Sequence, residues 1–225
     1  MNIYLCGQRD FGAETLALLR RLGHRVLGVS APRENHSGGG IRPDRLWASA
    51  TTLNIPLLPA GELREWNLPA GVDLIIAAHS HDFIGRRTRQ AARLGAIGYH
   101  PSLLPLHRGR DAVKWTLRFS DRIAGGSVYW LDDVVDGGPI AAQDWCFVRP
   151  DDTPGALWRR ELLPLGLRLF EETLYDIERG RLVKIPQDAA LATWEPALDP
   201  PSLGRPELPQ LTDGRRLDFQ IVTSK

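Results

Sequence analysis

The chain has 225 residues, of which 43% are hydrophobic and 24% charged, and these proportions are typical of a soluble globular protein with one substantial core. Its formal net charge of +1 argues against a protein dedicated to binding nucleic-acid backbones. The longest apolar runs are far shorter than the ~20 residues of a bilayer-spanning helix, so we expect no membrane span. The N-terminus has no signal-peptide pattern, and we expect a cytoplasmic protein.

Strands and helices alternate along the first hundred residues. Short β-rich runs closed by turn residues predict strands at 2–6, 25–30, 55–58, 72–78 and 96–100. Apolar residues at helical spacing predict helices at 14–22, 45–53 and 88–94, and the stretch 31–44, rich in Pro, Gly and charge, predicts a loop. This alternation predicts an α/β protein with a mostly parallel central sheet and helices on both faces.

The second half predicts one helix at 112–119, two strands at 126–131 and 139–148, and a long amphipathic helix at 153–179. Beyond Ile185 the prolines are spaced too closely for a helix or an interior strand. We therefore expect a main domain over 1–190 and a Pro-rich C-terminal tail over 191–225. The tail is expected on the surface, where it could form a dimer contact.

Two segments carry the residue types that proton chemistry needs. His100 ends a predicted strand and is followed by a loop that Pro101 and Pro105 stiffen. Asp136 lies in a carboxylate-rich turn whose glycines allow close approach of a ligand to the backbone. Because α/β sheets place ligands at strand ends, a histidine and an aspartate on adjacent loops here can share a proton.

Together these segments resemble the formyltransferases that use 10-formyltetrahydrofolate, whose hallmark is N-x-H-P-S-L-L-P followed by a D-x-G-P-I-x-x-Q-like turn. The matching residues are His100-Pro101-Ser102-Leu103-Leu104-Pro105 and Asp136-Gly137-Gly138-Pro139-Ile140 through Gln143. The resemblance spans about 190 residues and includes the opening strand and helix, 44–56 and 187–194. It implies a Rossmann-like formyltransferase fold and 10-formyltetrahydrofolate as co-substrate.

The resemblance also implies roles for individual residues. His100 and Asp136 would be the catalytic pair that handles protons while an amine attacks the formyl carbon. The folate pterin would lie between two loops, against their backbone groups. The implied cofactor-binding residues are His81, Asp82, Phe83, Ile84, Asp132, Asp133, Val134 and Val135.

Two positions depart from the family pattern. The family asparagine, which donates a hydrogen bond to the formyl oxygen, is replaced by Gly98, and a second family histidine is replaced by Tyr129. Because side chains alternate along a strand, Gly98 and His100 should share a face while Tyr99 points away. Losing one such donor costs about 2.7–4 kcal/mol, which weakens a reaction without abolishing it. The candidate replacement donors are His79, Ser80, His81 and Tyr129.

The histidines that follow the buried strand also suit a metal. His79 and His81, two residues apart with Asp82 beside them, have the chemistry of metal ligands. Folate-lining or hydrogen-bonded histidines are the favoured interpretation, and we predict no metal. The two cysteines, Cys6 and Cys146, lie in strand-like apolar runs and are predicted to be core residues.

The family suggests three classes of formyl acceptor, and the sequence disfavours two of them. Glycinamide ribonucleotide enzymes carry a Gly-Ser-Asn phosphate loop, whereas 7–12 here contains Asp10, which would repel a phosphate. Methionyl-tRNA enzymes carry a further C-terminal barrel, for which 225 residues leave no room. By elimination we expect a small-molecule amine, such as an amino-sugar nucleotide, with Arg9, Arg108 and Arg110 as candidate phosphate contacts.

Two other hypotheses remain open at this point. Gly98 and Tyr129 are consistent with a catalytically impaired folate-binding sensor or partner subunit. A 10-formyltetrahydrofolate hydrolase, in which water replaces the amine, would use the same residues as the transferase. The expected partners are a small-molecule acceptor and a second copy of the chain through the C-terminal region, without nucleic acid or membrane.

Overall fold

The computed structural model describes residues 1–35, 41–80 and 82–198. Its described part is built around one seven-stranded sheet. The strands of this sheet are β1 (Asn2–Gly7), β2 (Arg25–Ala31), β5 (Leu57–Pro59), β6 (Leu74–Ala78), β7 (Ala96–His100), β8 (Ile123–Trp130) and β9 (Ile140–Phe147). Their order across the sheet is β5-β2-β1-β6-β7-β8-β9. Two short strands, β3 (Glu34–Asn35) and β4 (Arg42–Pro43), pair separately. The strand pairs β5–β2, β2–β1, β1–β6 and β6–β7 are parallel. The pairs β7–β8 and β8–β9 are antiparallel.

Helices cover this sheet. The helices are α1 (Arg9–Arg21), α2 (Arg45–Thr52), α3 (Arg86–Ala91), α4 (Ala112–Arg118), α5 (Pro154–Leu157) and α6 (Leu163–Glu178). One core cluster packs α1 and α6 against the sheet, with Phe11 and Phe170 fully buried. A second cluster around Tyr4 and Ile75 lies on the strands' other side. The predicted α/β fold with a mostly parallel sheet is therefore confirmed.

The predicted helix 153–179 is helical from Pro154 to Glu178, but it is not α-helical throughout. It begins as expected after Thr153, whose side chain accepts a hydrogen bond from the Ala156 amide, but a π-helical turn at Trp158–Leu162 separates α5 from α6. Pro164 at the start of α6 has no amide hydrogen to donate to the preceding turn. The Leu162 carbonyl in this turn accepts a hydrogen bond from the Tyr99 hydroxyl, at 2.7 Å.

Strand β7 presents its residues to the two sides of the sheet as the alternation predicts. Tyr99 joins the cluster of α1 and α6, where it contacts Phe11 at 5.1 Å between ring centroids. Gly98 lies instead beside Tyr129 and Leu131. His100, two residues further, follows Gly98 on the side that faces the loops beyond the sheet.

The described start of the predicted tail packs on its own domain. Residues 193–194 bridge to Arg108, and the Trp115 indole donates to the Pro196 carbonyl at 2.9 Å. Residues 199–225, most of the predicted Pro-rich tail, lie outside the described residues. Within the described ranges, no helix combines the length and the apolar character needed to cross a bilayer.

Candidate functional site

His100 is held by a backbone carbonyl. It is the last residue of β7, and its Nε2 lies 2.7 Å from the His107 carbonyl oxygen. A carbonyl oxygen can only accept, so Nε2 must carry a hydrogen. Nδ1 is therefore the ring atom that can gain or lose a proton, and it lies 3.6 Å from the Asp136 Oδ2. The structure thus brings the two predicted catalytic residues together.

Both carboxylate oxygens of Asp136 accept hydrogen bonds from neutral donors. The Tyr129 hydroxyl donates to Oδ1 at 2.6 Å, and the Gly109 amide donates to Oδ2 at 2.8 Å. The Asp136 backbone is left-handed, with φ of 52°, as suits a tight turn. These contacts hold the carboxylate facing His100, at a separation slightly longer than a direct hydrogen bond.

Tyr129 is the least expected member of the site. Its burial and the negative charge of Asp136 raise the pKa of the phenol well above its usual value. The phenol therefore keeps its proton and acts as the donor in its contact with Asp136. The sequence indicated this residue as a departure from the family pattern and as one of four candidate donors.

Gln187 ties the turn of Asp136 to the loop after His100, and sequence reasoning did not include it among the site residues. Its amide nitrogen donates to the Asp136 and Gly138 carbonyls, at 2.8 and 2.7 Å. Its amide oxygen accepts from Arg108 Nε and Nη2, at 3.2 and 2.7 Å. Arg108 was predicted to contact a phosphate, but its side chain is only 7% exposed and is hydrogen-bonded to Gln187 instead. The sequence signal for Gln187 was its place in the resembling stretch 187–194.

The two loops predicted to hold the pterin are joined by arginines. Asp133 forms ion pairs with Arg86 and with the buried Arg89, whose Nη2 lies 2.7 Å from Asp133 Oδ1. The same Arg89 side chain donates through Nη1 to the Ile84 carbonyl at 2.6 Å. Burial lowers the pKa of the Arg89 guanidinium. Loop 82–85 and turn 132–136 are therefore held at a set distance by one side chain.

A cavity of about 500 Å³ opens beside the first of these loops. Two chain segments line it, and they include the predicted residues Asp82, Phe83 and Ile84 together with Leu63 and Arg64. Phe83 is 72% exposed at this cavity. Most of the other predicted folate residues lie in turn 132–136. There the Asp132 side chain accepts a hydrogen bond from the Val134 amide, and Val135 is exposed. The remaining one, His81, lies outside the described residues.

If folate binds between these loops, as the resemblance implies, Arg89→Leu should weaken that binding. The substitution removes the guanidinium that joins Ile84 to Asp133, leaves a buried carbonyl without its donor, and lets the two loops separate. KM for 10-formyltetrahydrofolate should rise about 10-fold or more, since a lost hydrogen bond to a charged group costs about 1.5–3 kcal/mol. Arg20→Leu is the matched control, because Arg20 is exposed on α1 and is not among the residues that line the cavity. Equal KM values in the two variants would contradict this role.

The other candidate donors lie in different surroundings. His79 has a left-handed backbone and packs 5.9 Å from the Trp158 ring, and the Ser80 hydroxyl accepts from the Asp82 amide at 3.1 Å. No group of three or more His, Cys, Asp or Glu side chains suited to a metal occurs in 1–35, 41–80 and 82–198. The interpretation of His79 with His81 as metal ligands depends on a residue outside those ranges.

A carboxylate lies at the start of α1, the position at which the resemblance implies a phosphate-binding loop in the glycinamide ribonucleotide enzymes. The Asp44 side chain is buried and accepts from the Arg9 amide at 2.8 Å and from the Leu46 amide at 2.9 Å. Asp10, expected to repel a phosphate, is instead neutralised by Arg45 at 2.9 Å. The negative charge that competes with a phosphate here is therefore that of Asp44.

Residues 60–164, which include His100 and Asp136, match the family model described as formyl transferase. Residues 60–164 belong to the formyl transferase family. The resemblance inferred from the two motifs is thereby confirmed. The formyl transferase domain takes in β6, β7 and β8, the strands that carry or support the site, and both loops predicted to contact the folate.

Curated proteins similar to this chain include a dehydrogenase and a transferase. The chain is 36% identical over 203 residues to the mitochondrial 10-formyltetrahydrofolate dehydrogenase of Homo sapiens, covering 87% of this chain but 22% of that protein. It is 30% identical over 205 residues to the methionyl-tRNA formyltransferase of Lactobacillus delbrueckii subsp. bulgaricus, covering 88% of this chain and 64% of that protein. The chain thus spans about a fifth of the length of the dehydrogenases it matches.

A solved structure agrees in fold. The glycinamide ribonucleotide transformylase 1 of Symbiobacterium toebii superposes with a TM-score of 0.67 at 23% identity, covering 84% of this chain and 94% of that one. At this identity the similarity concerns the fold alone. The predicted Rossmann-like formyltransferase fold is confirmed by it.

Proposed function

We propose that this domain transfers the formyl group of 10-formyltetrahydrofolate to the amine of a small molecule. The observation that carries the proposal is the facing pair of His100 Nδ1 and Asp136 Oδ2, with every other polar atom of the two side chains held by a neighbour. Membership in the formyl transferase family supports the reaction class. The acceptor is proposed on separate grounds.

The chemistry of the pair follows from its hydrogen bonds. The neutral amine attacks the formyl carbon, a new C–N bond forms, and the bond from that carbon to N10 of the folate breaks. The amine loses a proton and N10 gains one. Because His100 Nε2 is committed to the His107 carbonyl, Nδ1 is the atom that carries this proton, and the Asp136 charge stabilises the imidazolium formed on the way.

Asp44 supports a small-molecule acceptor without a phosphate at the start of α1. The Arg9 amide, which would otherwise point at an anion bound there, already donates to a buried carboxylate. A glycinamide ribonucleotide acceptor would have to displace that carboxylate. Arg9 and Arg110 are exposed, so a phosphate on a differently placed acceptor, such as an amino-sugar nucleotide, could still pair with them.

Hydrolysis of 10-formyltetrahydrofolate is the second candidate. The observation that favours it is the 36% identity to 10-formyltetrahydrofolate dehydrogenase, a protein whose name specifies the same folate and no amine. Water would then attack in place of the amine, and His100 and Asp136 would carry its proton in the same way.

One experiment separates the candidates. The purified protein is incubated with 10-formyltetrahydrofolate, alone and with a panel of amines that includes amino-sugar nucleotides. Tetrahydrofolate, formate and formylated product are then quantified by mass spectrometry. Formylated product supports the transferase, and formate without added amine supports the hydrolase. Binding without turnover would indicate a folate sensor, and neither binding nor turnover would overturn the proposed function.

A further inference from the structure

Gly98 and Tyr129 form a complementary pair across two strands. They lie directly opposite each other on β7 and β8. A Cβ atom placed on Gly98 would lie 3.4 Å from Tyr129 Cε1, 3.5 Å from its hydroxyl oxygen and 3.4 Å from Leu131 Cδ2. These are ordinary contact distances, so the site has room for one carbon atom and is then closed by the phenol. The aromatic ring covers the glycine, a pairing known to compensate for glycine in sheets.

The phenol that fills this space is tied to the reaction centre. Tyr129 is 6% exposed, and its hydroxyl donates to Asp136 Oδ1 at 2.6 Å, a short bond to a charged acceptor. The opposite oxygen of the same carboxylate faces His100. A change at Tyr129 therefore reaches His100 through Asp136.

We infer that Tyr129 is a positioning residue that holds Asp136 toward His100, and that position 98 is glycine because any side chain longer than a methyl group would displace the phenol. The inference rests on the proposed function for its kinetic consequences. It differs from a simple loss of the family asparagine, since the space beside Gly98 is used by another polar group with a contact of its own.

The consequence is contrary to what the family pattern suggests. Restoring the family residue with Gly98→Asn should impair the enzyme, because the carboxamide beyond Cβ has to enter the volume of the Tyr129 ring. Gly98→Ala should be affected less, because its single carbon meets its neighbours at 3.4 Å. Tyr129→Phe removes one oxygen, keeps the ring, and should separate the role of the hydroxyl from that of packing.

The test compares Tyr129→Phe, Gly98→Ala and Gly98→Asn by steady-state kinetics and thermal unfolding. For Tyr129→Phe we expect kcat to fall about 10- to 100-fold, the size typical of a hydrogen bond to a charged group, with KM for 10-formyltetrahydrofolate unchanged. Tyr175→Phe is the matched control, because Tyr175 is 51% exposed on α6 and its ring packs against Arg179. A kcat for Tyr129→Phe equal to that of the control, or a kcat for Gly98→Asn above wild type, would overturn the inference.

A second measurement needs no turnover. The carboxyl ¹³C resonance of Asp136, assigned with Asp136→Asn, should move in Tyr129→Phe and stay in place in Tyr175→Phe, because only the first removes a donor from the carboxylate. An unmoved resonance would refute the contact even if the wild type turns over folate. If the resonance moves in Tyr129→Phe but the wild-type protein does not turn over folate, the contact is supported and only the proposed function is contradicted.

Discussion

Replacing Asp136 with Asn, or His100 with Gln, is expected to lower kcat/KM for the proposed co-substrate 10-formyltetrahydrofolate about 100- to 10,000-fold, the range for removing a general acid–base group. Asp136→Asn keeps the shape of the side chain but removes the charge that stabilises an imidazolium on His100 Nδ1. His100→Gln removes the ring nitrogen that we propose to carry the proton. Single-turnover assays that follow tetrahydrofolate formation measure the effect on the chemical step.

Asp10→Asn is the control for this loss of charge. Asp10 is exposed on α1 and paired with Arg45, so its substitution removes a carboxylate that does not contact His100 or Asp136. Exposed ion pairs contribute little to stability, and we expect wild-type turnover. Turnover in Asp136→Asn within a few-fold of Asp10→Asn would exclude the proposed role of the carboxylate.

Gln187→Glu is expected to have the second largest effect. The substitution places an oxygen where an amide nitrogen now donates to the Asp136 and Gly138 carbonyls, so three acceptors meet without a hydrogen among them. The free energy of unfolding should fall by about 2–4 kcal/mol, because two partly buried carbonyls lose their donor. The turn that carries Asp136 should shift, and kcat should fall with it. Thermal denaturation and steady-state kinetics of the same preparation measure both effects.

Gln90→Glu makes the same chemical change at an exposed position of α3 and should leave stability and kcat near wild type. Gln187→Ala removes the donor without adding an acceptor, and we expect a smaller loss than in Gln187→Glu. If Gln187→Glu behaves like Gln90→Glu, the segment that begins at Gln187 does not hold the turn of Asp136.

The predicted elements differ in how well they match the structure. Strand 96–100 and the start of the helix at Arg45 agree with their predictions. The helix predicted at 88–94 is found as α3 at Arg86–Ala91. It begins earlier than predicted, because its N-cap residue is Gly85. The loop expected at 31–44 contains the short pair of β3 and β4. The roles of the predicted folate residues stay predictions, with His81 outside the described ranges.

The sequence by itself determined the order of strands and helices, the mostly parallel sheet and the family, and it predicted His100 and Asp136 as the catalytic pair. Each of these follows from residues close together in the chain, through periodicity, turn chemistry or a contiguous motif. Only the tertiary structure decided what holds the pair. The partners of Asp136 and His100 are backbone groups of a bent loop, a tyrosine on the neighbouring strand, and Gln187, 51 residues beyond Asp136. A sequence pattern does not specify how loops from different strands approach each other, because that depends on the packing of the whole sheet.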